Sequence, residues 1–225
     1  MVRLSAVLLV VSLVLTLMFC KPNNDPNDIV LTSKNFINLR AVINKESVDA
    51  ALKGLAHLNK VNPAGPNYIV IESPGGYVTE GNRFIKEAKK YKNLHTITIF
   101  AASMASAIVE ALPGKRFIIP NGVMMFHRGG YVKMVTELLP LEIANSSRIG
   151  ISLDKYRMNV LREWWLKGEE NLRQNVSDKI VNISCDSSLD KAVDTFLIAQ
   201  QFMGVSLPPY KAELSKCPLV VQPIM

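Results

Sequence analysis

Hydrophobic positions along this chain fall into short runs separated by polar breaks, and their spacing changes from run to run. Residues 4–19 (LSAVLLVVSLVLTLMF) are one apolar stretch without a charged side chain. Cys20 follows at once. Residues 21–28 are then rich in Pro, Asn and Asp, which favour turns and give a flexible tether. From residue 29 onward, strand and helix signals alternate. Short apolar runs predict strands over 29–31 and over 36–43, the second with Arg40 inside it. Ser47 is a candidate helix cap, and Val48, Ala51, Leu52, Leu55 and Leu58 recur at the spacing of one helix face. Residues 67–71 (NYIVI) read as a buried strand that runs into the breaker Ser73-Pro74-Gly75-Gly76. Gly81, Phe84, Ile85 and Ala88 suggest the next helix.

Further along, a strand is expected over 96–100 and a helix over 104–112, closed by Pro113-Gly114. Two short strands, 116–119 and 123–126, flank a turn at Pro120-Asn121-Gly122. A long helical region covers much of 134–162, with breaks near Pro140 and Gly150. A later helix is expected over about 189–201, and Pro208-Pro209 opens an irregular tail. Strands separated by helices predict an α/β fold with a parallel sheet and crossover helices.

The chain has 225 residues, enough for one full core, with 48% hydrophobic and 20% charged residues. Its formal net charge of +7 favours anionic surfaces. No basic groove with interleaved aromatic residues is evident, so nucleic acid is not the expected partner. No phosphate-binding loop occurs. His57, His95 and His127 are dispersed without cysteine or carboxylate spacing, which argues against a metal site. No cofactor is expected. Cys185 and Cys217 are free to pair in an oxidising compartment, and sequence leaves that question open.

The N-terminal apolar run is shorter than the roughly 20 residues a spanning helix needs. With Arg3 ahead of it, it fits a secretory signal. A cysteine directly after such a signal resembles a bacterial lipoprotein, which implies cleavage before Cys20 and acylation of Cys20. Leu17 sits at the expected apolar position, whereas Phe19 stands where a small residue is usual. The rival reading is an uncleaved anchor. The expected organisation is a signal over 1–19, a tether over 20–28, a folded domain over 29–205 and a tail over 206–225. The body then lies outside the cytoplasm, on the membrane of the cell envelope, on its periplasmic or surface side.

Three features carry candidate chemistry. The first is Ser73-Pro74-Gly75-Gly76 at the end of a strand. The second is Ala101-Ala102-Ser103-Met104-Ala105-Ser106, where a strand turns into a helix. The third is His127, directly after another strand. Ligands gather at strand C-terminal ends in α/β sheets, and helix N-terminal amides suit an oxyanion. Each feature alone has a plain structural reading: a turn, a helix cap, a packed histidine. Their order and spacing together are specific.

The segment from Ile69 to His127 resembles the proteolytic subunit of the Clp protease family, within the broader crotonase-like fold. The matching strings are SPGG, Gly81, AASM, GKRFIIPNG and MMFH. This resemblance implies a parallel β-sheet built from repeated ββα/βαβ units with flanking helices. It implies a serine peptidase with Ser103 as nucleophile, His127 as base, and the amides of Gly76 and Met104 as the oxyanion hole. Aligning Leu166 and Asp178 with the family's pattern puts Glu163 in the acid position, with Asp178 as the rival acid. A surface glutamate is the plain reading of Glu163, and Trp164 and Trp165 read as packing anchors.

An exported body has no ATP and no unfoldase, so the expectation is an ATP-independent peptidase acting on peptides or unfolded chains, as a homo-oligomer. The alternatives are a catalytically degenerate scaffold and an acyl-coenzyme A-handling relative. The second alternative is disfavoured by export.

Overall fold

The computed structural model describes residues 28–128, 135–202 and 205–219. The signal over 1–19, Cys20, nearly all of the tether and the last residues of the tail lie outside the described residues.

Strand β1 (Asp28–Leu31) and strand β2 (Phe36–Arg40) open the described chain. β2 ends sooner than the apolar pattern suggests, because Ala41 takes a positive φ of 65°. Helix α1 (Lys45–Val61) is capped by Asn44. The Asn44 side chain accepts the Ser47 amide while the Ser47 hydroxyl accepts the Asn44 amide, a reciprocal box. Ser47 is therefore the third helical residue of this box and the cap itself lies three residues earlier.

Next come β3 (Asn67–Ser73), α2 (Val78–Ala88), β4 (Leu94–Ala102) and α3 (Met104–Ala111). β5 (Arg116–Phe126) is one long strand. The turn expected at Pro120-Asn121-Gly122 is instead an irregularity within it, where the register against β4 shifts. Helix α4 (Val135–Ile149) carries Pro140 without ending there, and the chain breaks at Gly150 before α5 (Leu153–Val160).

After α5 come β6 (Trp164–Lys167), α6 (Glu169–Arg173), β7 (Lys179–Ile180) and β8 (Asn182–Cys185). The helix expected over 189–201 is not formed. Residues in that stretch build β9 (Val193–Phe202), which pairs antiparallel with β10 (Val205–Ser215). The tail over 206–225 is thus strand through Ser215, and Pro208-Pro209 coincides with a register shift in this hairpin. Short apolar runs do not distinguish helix from strand by periodicity, and Val193, Thr195, Phe196 and Ile198 favour the strand.

The main sheet runs β2-β3-β4-β5-β6, with β7 also against β5. β2, β3, β4 and β5 pair parallel, and β6 joins antiparallel. Helices α1 to α3 bury Leu55, Leu58, Phe84, Ile85 and Ile108 against Ile69, Ile71 and Ile118. Each such side chain contributes roughly 1.5–3 kcal/mol on burial.

A second cluster, including Leu31, Phe36, Val70, Ile97, Val181 and Leu189, is closed by Cys217. Cys217 forms a disulfide with Cys185, which resolves the pairing question. Arg40 ties this region to β2 by donating from Nη1 to the Ser215 carbonyl at 2.8 Å. Among the described residues no helix is long and apolar enough to cross a membrane.

Candidate active site

The parallel strands deliver three chain segments to one end of the sheet. β3 ends at Ser73, whose hydroxyl donates to the Ala41 carbonyl at 2.6 Å and accepts the Gly75 amide at 3.1 Å. This fixes the Gly75-Gly76 loop beside the end of β4. A Cβ on Gly75 would lie 2.6 Å from the Ala102 carbonyl oxygen and 2.7 Å from Ser103 Cβ. Its φ of +94° also favours glycine. The backbone of the loop therefore reaches Ser103 only because residue 75 has no side chain.

Ser103 stands at the junction of β4 and α3 with φ 56° and ψ −122°, a conformation sparsely populated by non-glycine residues. Its amide donates to the Met125 carbonyl at 2.9 Å, which locks the junction to β5. Two residues further, just past the end of β5, comes His127. Its Nε2 lies 2.7 Å from Ser103 Oγ. Ser106, the neighbouring serine, is fully buried, with its hydroxyl 2.7 Å from each of the Ala101 and Met125 carbonyl oxygens. Of the two serines, Ser103 is the one beside an imidazole.

Ile43 donates its amide to the Gly75 carbonyl, and its own carbonyl accepts the Tyr77 amide, both at 2.8 Å. In this parallel bridge the intervening Gly76 N–H faces away from Ile43. Met104 is the first residue of α3, so its N–H has no acceptor within the helix.

A cavity of about 70 Å³ opens beside the pair, lined by Val78, Met104, Ala107, Leu141 and Val160. Phe126 and Tyr156 form part of its wall and meet edge to face, and Trp164 packs against both rings. At its polar end Asn145 donates to the Tyr156 hydroxyl at 3.1 Å, and burial pushes that phenol up to about 12. Glu142 also lines it, and its carboxylate lies 2.9 Å from Arg157 and 3.5 Å from Arg128. A larger cavity of about 310 Å³ lies elsewhere, between β2, α1 and residues 194, 195 and 216. It includes neither Ser103 nor His127.

The candidate acids separate. Asp178 accepts the Arg116 amide and guanidinium at 2.7 and 2.6 Å. Its carboxyl is held below its ordinary range although burial opposes this, because the Arg116 hydrogen bonds and charge outweigh the burial. Arg116 in turn grips buried Glu110.

Glu163 directly precedes β6. Trp164 pairs with Phe126 at the end of the β5–β6 ladder, so Glu163 and His127 each lie one residue beyond it, and no hydrogen bond or ion pair joins the two among the described residues. The Arg128 amide donates to the Val160 carbonyl at 3.1 Å and holds the two chains together there. Glu163 Oε2 accepts the Trp165 indole N–H at 2.9 Å. Among the described residues, no protein group pairs with the second ring nitrogen of His127. Trp165 and the bridging role of Ile43 are not evident in sequence. The tryptophan reads there as a packing anchor, and the bridge depends on a chain reversal that no local pattern encodes.

Residues 24–139 match the family model for Clp protease. The chain belongs to the Clp protease family. It is similar to ATP-dependent Clp protease proteolytic subunit 2 of Cutibacterium acnes, with 26% identity over 166 residues, covering 67% of this chain and 78% of that protein. It is also similar to ATP-dependent Clp protease proteolytic subunit 1 of Chlamydia trachomatis, with 36% identity over 89 residues, which are 38% of this chain and 46% of that one. Among solved structures, the ClpP protease catalytic domain from Plasmodium falciparum superposes with a TM-score of 0.60 at 27% identity. That match covers 66% of this chain and 85% of the other. The fold of this Clp protease family member is therefore ClpP-like, with a largely parallel sheet, and its relatives support a serine peptidase.

Proposed function

We propose that this Clp protease family member is an ATP-independent serine endopeptidase of the bacterial envelope, with Ser103 as nucleophile and His127 as base. The observation that carries this reading is the 2.7 Å approach of His127 Nε2 to Ser103 Oγ at a strained strand–helix junction. The proton of Ser103 passes to Nε2 as Oγ attacks the scissile carbonyl. The imidazolium then gives that proton to the leaving amine, and water releases the acyl group by the same path. Amides of Gly76 and Met104 hold the oxyanion, and one such donor contributes about 3 kcal/mol to lowering the barrier. The apolar wall of Met104, Ala107, Leu141 and Val160 suits a compact apolar side chain next to the scissile bond.

The envelope location rests on the apolar run over 4–19 followed by Cys20. The Cys185–Cys217 disulfide agrees with it, since such bonds persist in oxidising compartments. The relatives are named ATP-dependent, whereas a body outside the cytoplasm meets no ATP. Cys20 then carries the lipid anchor, peptides or unfolded chains are the substrates, and exposed Ile143, Met158 and Leu161 offer a surface for self-association.

The test is hydrolysis of an internally quenched peptide, without ATP, by protein lacking residues 1–20. Turnover that disappears in Ser103→Ala supports the reading. Equal turnover in Ser103→Ala removes Ser103 as the nucleophile, and no turnover in either protein leaves the chain a binding scaffold. Mass spectrometry of the mature N-terminus tests the anchor, and an unmodified Cys20 in the membrane fraction contradicts it.

A further inference from the structure

Parallel strands bring the segments that lead into them to one end of the sheet, and in this chain that end is basic. Segments 32–35, 62–66, 89–93 and 112–115 lead into β2, β3, β4 and β5 in turn. Backbone hydrogen bonds lace them together. The Tyr68 amide donates to the Asn35 carbonyl at 2.8 Å, the Asn67 amide to the Asn93 carbonyl at 2.9 Å, and the Thr96 amide to the Lys115 carbonyl at 3.0 Å. Lys34, Lys89, Lys92 and Lys115 stand on these segments, Lys60 stands on the last turn of α1 beside them, and all are exposed. The segments hold no Asp or Glu.

Among the described residues no carboxylate lies within ion-pair distance of these lysines. Glu87 is held by Lys90 and Asp178 by Arg116, and Asp186 accepts the Ser188 amide. The opposite end, where Ser103 lies, is balanced instead: Lys45 pairs with Asp49, Arg83 with Asp49 and Glu80, and Arg128 with Glu142.

The chain enters the fold near the basic end. β1 begins at Asp28, has four residues and runs directly into segment 32–35, so Asp28 lies within about 13 Å of that segment. Cys20 stands eight residues before Asp28, and eight residues span at most about 29 Å. With the N-terminal apolar run in a membrane, the lysines are therefore held within about 40 Å of the headgroups. β4 has nine residues and ends beside Ser103, which sets the site about 30 Å from the lysines along the strand.

We infer that this lysine end is a docking surface for the anionic phospholipid headgroups of the membrane that holds the N-terminus, and that it turns the Ser103 site away from the bilayer. This rests on the envelope reading above and not on the peptidase chemistry. The anchor fixes where the domain is, and the lysines fix which way it faces. Each basic side chain at an anionic bilayer strengthens binding about fivefold, provided it lies within a Debye length of the surface.

Co-sedimentation with vesicles tests this on protein lacking residues 1–20, so that the anchor contributes nothing. Every described element and both core clusters lie C-terminal to that cut, and circular dichroism checks the fold of each variant. The probes are vesicles of phosphatidylcholine alone and of phosphatidylcholine with phosphatidylglycerol, at about 0.1 M salt, where the Debye length is about 10 Å. The expected result is binding to the phosphatidylglycerol vesicles only, with release at about 1 M salt. Lys60→Gln/Lys89→Gln/Lys92→Gln should bind about a hundredfold more weakly. Lys45→Gln/Arg162→Gln/Lys167→Gln removes the same charge from exposed positions elsewhere and should stay within about threefold. Equal losses in the two triple variants, equal binding to both kinds of vesicle, or binding to neither overturns the inference. Turnover is not read in this assay, so failure of the peptidase reading leaves its result untouched, and the mass spectrum of the mature N-terminus tests the anchor separately.

Discussion

Asp178 holds Arg116 at two points: Oδ2 accepts its amide at 2.7 Å and Oδ1 accepts its Nη2 at 2.6 Å. This clamp joins the start of β5 to the turn before β7, at the opposite end of the strand from His127. Asp178→Asn is expected to cost about 2 kcal/mol of stability through weakened hydrogen bonds to a charged group. The rate at which Ser103 acylates should be unchanged. Glu163→Gln should do the reverse, lowering turnover at least tenfold, where loss of the acid in a well-aligned triad costs about 10⁴-fold. Denaturant melts and peptide turnover on the two variants read both effects. The opposite ranking moves the acid to Asp178.

Arg116 also pairs with Glu110, a residue 2% exposed whose Oε1 has no hydrogen-bond partner among the described residues. Burial pushes this carboxyl from its ordinary 4.5 up to about 8, more than the Arg116 charge and hydrogen bond pull it down. A folded-state value above the unfolded one means that the folded chain holds the proton more tightly. The resulting stability is fully present below about pH 4.5 and is lost as pH rises through about 8. Urea midpoints across this window should fall with pH in the wild type and fall less in Glu110→Gln. Equal slopes would contradict the assignment.

How far the sequence carried is clearest around Ser103. The strand–helix alternation from β3 to α3 is local and strongly patterned, so its elements were legible within a few residues. The placement of Ser103, His127 and the double glycine was legible as well, because each directly follows a strand. The C-terminal hairpin was not. Residues 193–202 are apolar without a decisive period, and their state depends on a strand partner further along the chain. Asn44 outcompetes Ser47 as the helix cap for a similar reason, since both residue types suit the position and only the chain path decides. The Trp165–Glu163 bond was hidden because a strand over 164–167 was not anticipated, and only strand geometry puts alternate residues on one face.

Gly75 sets the distance between the double-glycine loop and Ser103. A methyl group there would press on Ala102 O, Ser103 Cβ and the Met104 amide nitrogen at 2.6–2.9 Å. Gly75→Ala must displace one of them, and shifts near 1 Å in such sites cost about 10²-fold. Turnover should fall by that order while the melting transition stays cooperative. Full activity in Gly75→Ala would show that this close approach is not needed.

The Cys185–Cys217 bond closes a loop of sequence separation 32 and fastens the β9–β10 hairpin to β8. Cys185→Ser/Cys217→Ser is expected to lose about 3 kcal/mol. The site lies in the other cluster, so turnover at 25 °C should be retained. Thermal melts with and without reductant check this. Insensitivity of the wild type to reductant would mean that the bond contributes nothing.

The central claim is that Ser103 is an activated nucleophile. A fluorophosphonate probe, followed by peptide mass spectrometry, tests it most directly. The account predicts one adduct on Ser103 of the wild type, absent in Ser103→Ala and slowed at least a hundredfold in His127→Ala, consistent with loss of a positioned base. No adduct on the wild type, or an adduct at Ser106 or another residue with Ser103 unmodified, would contradict it.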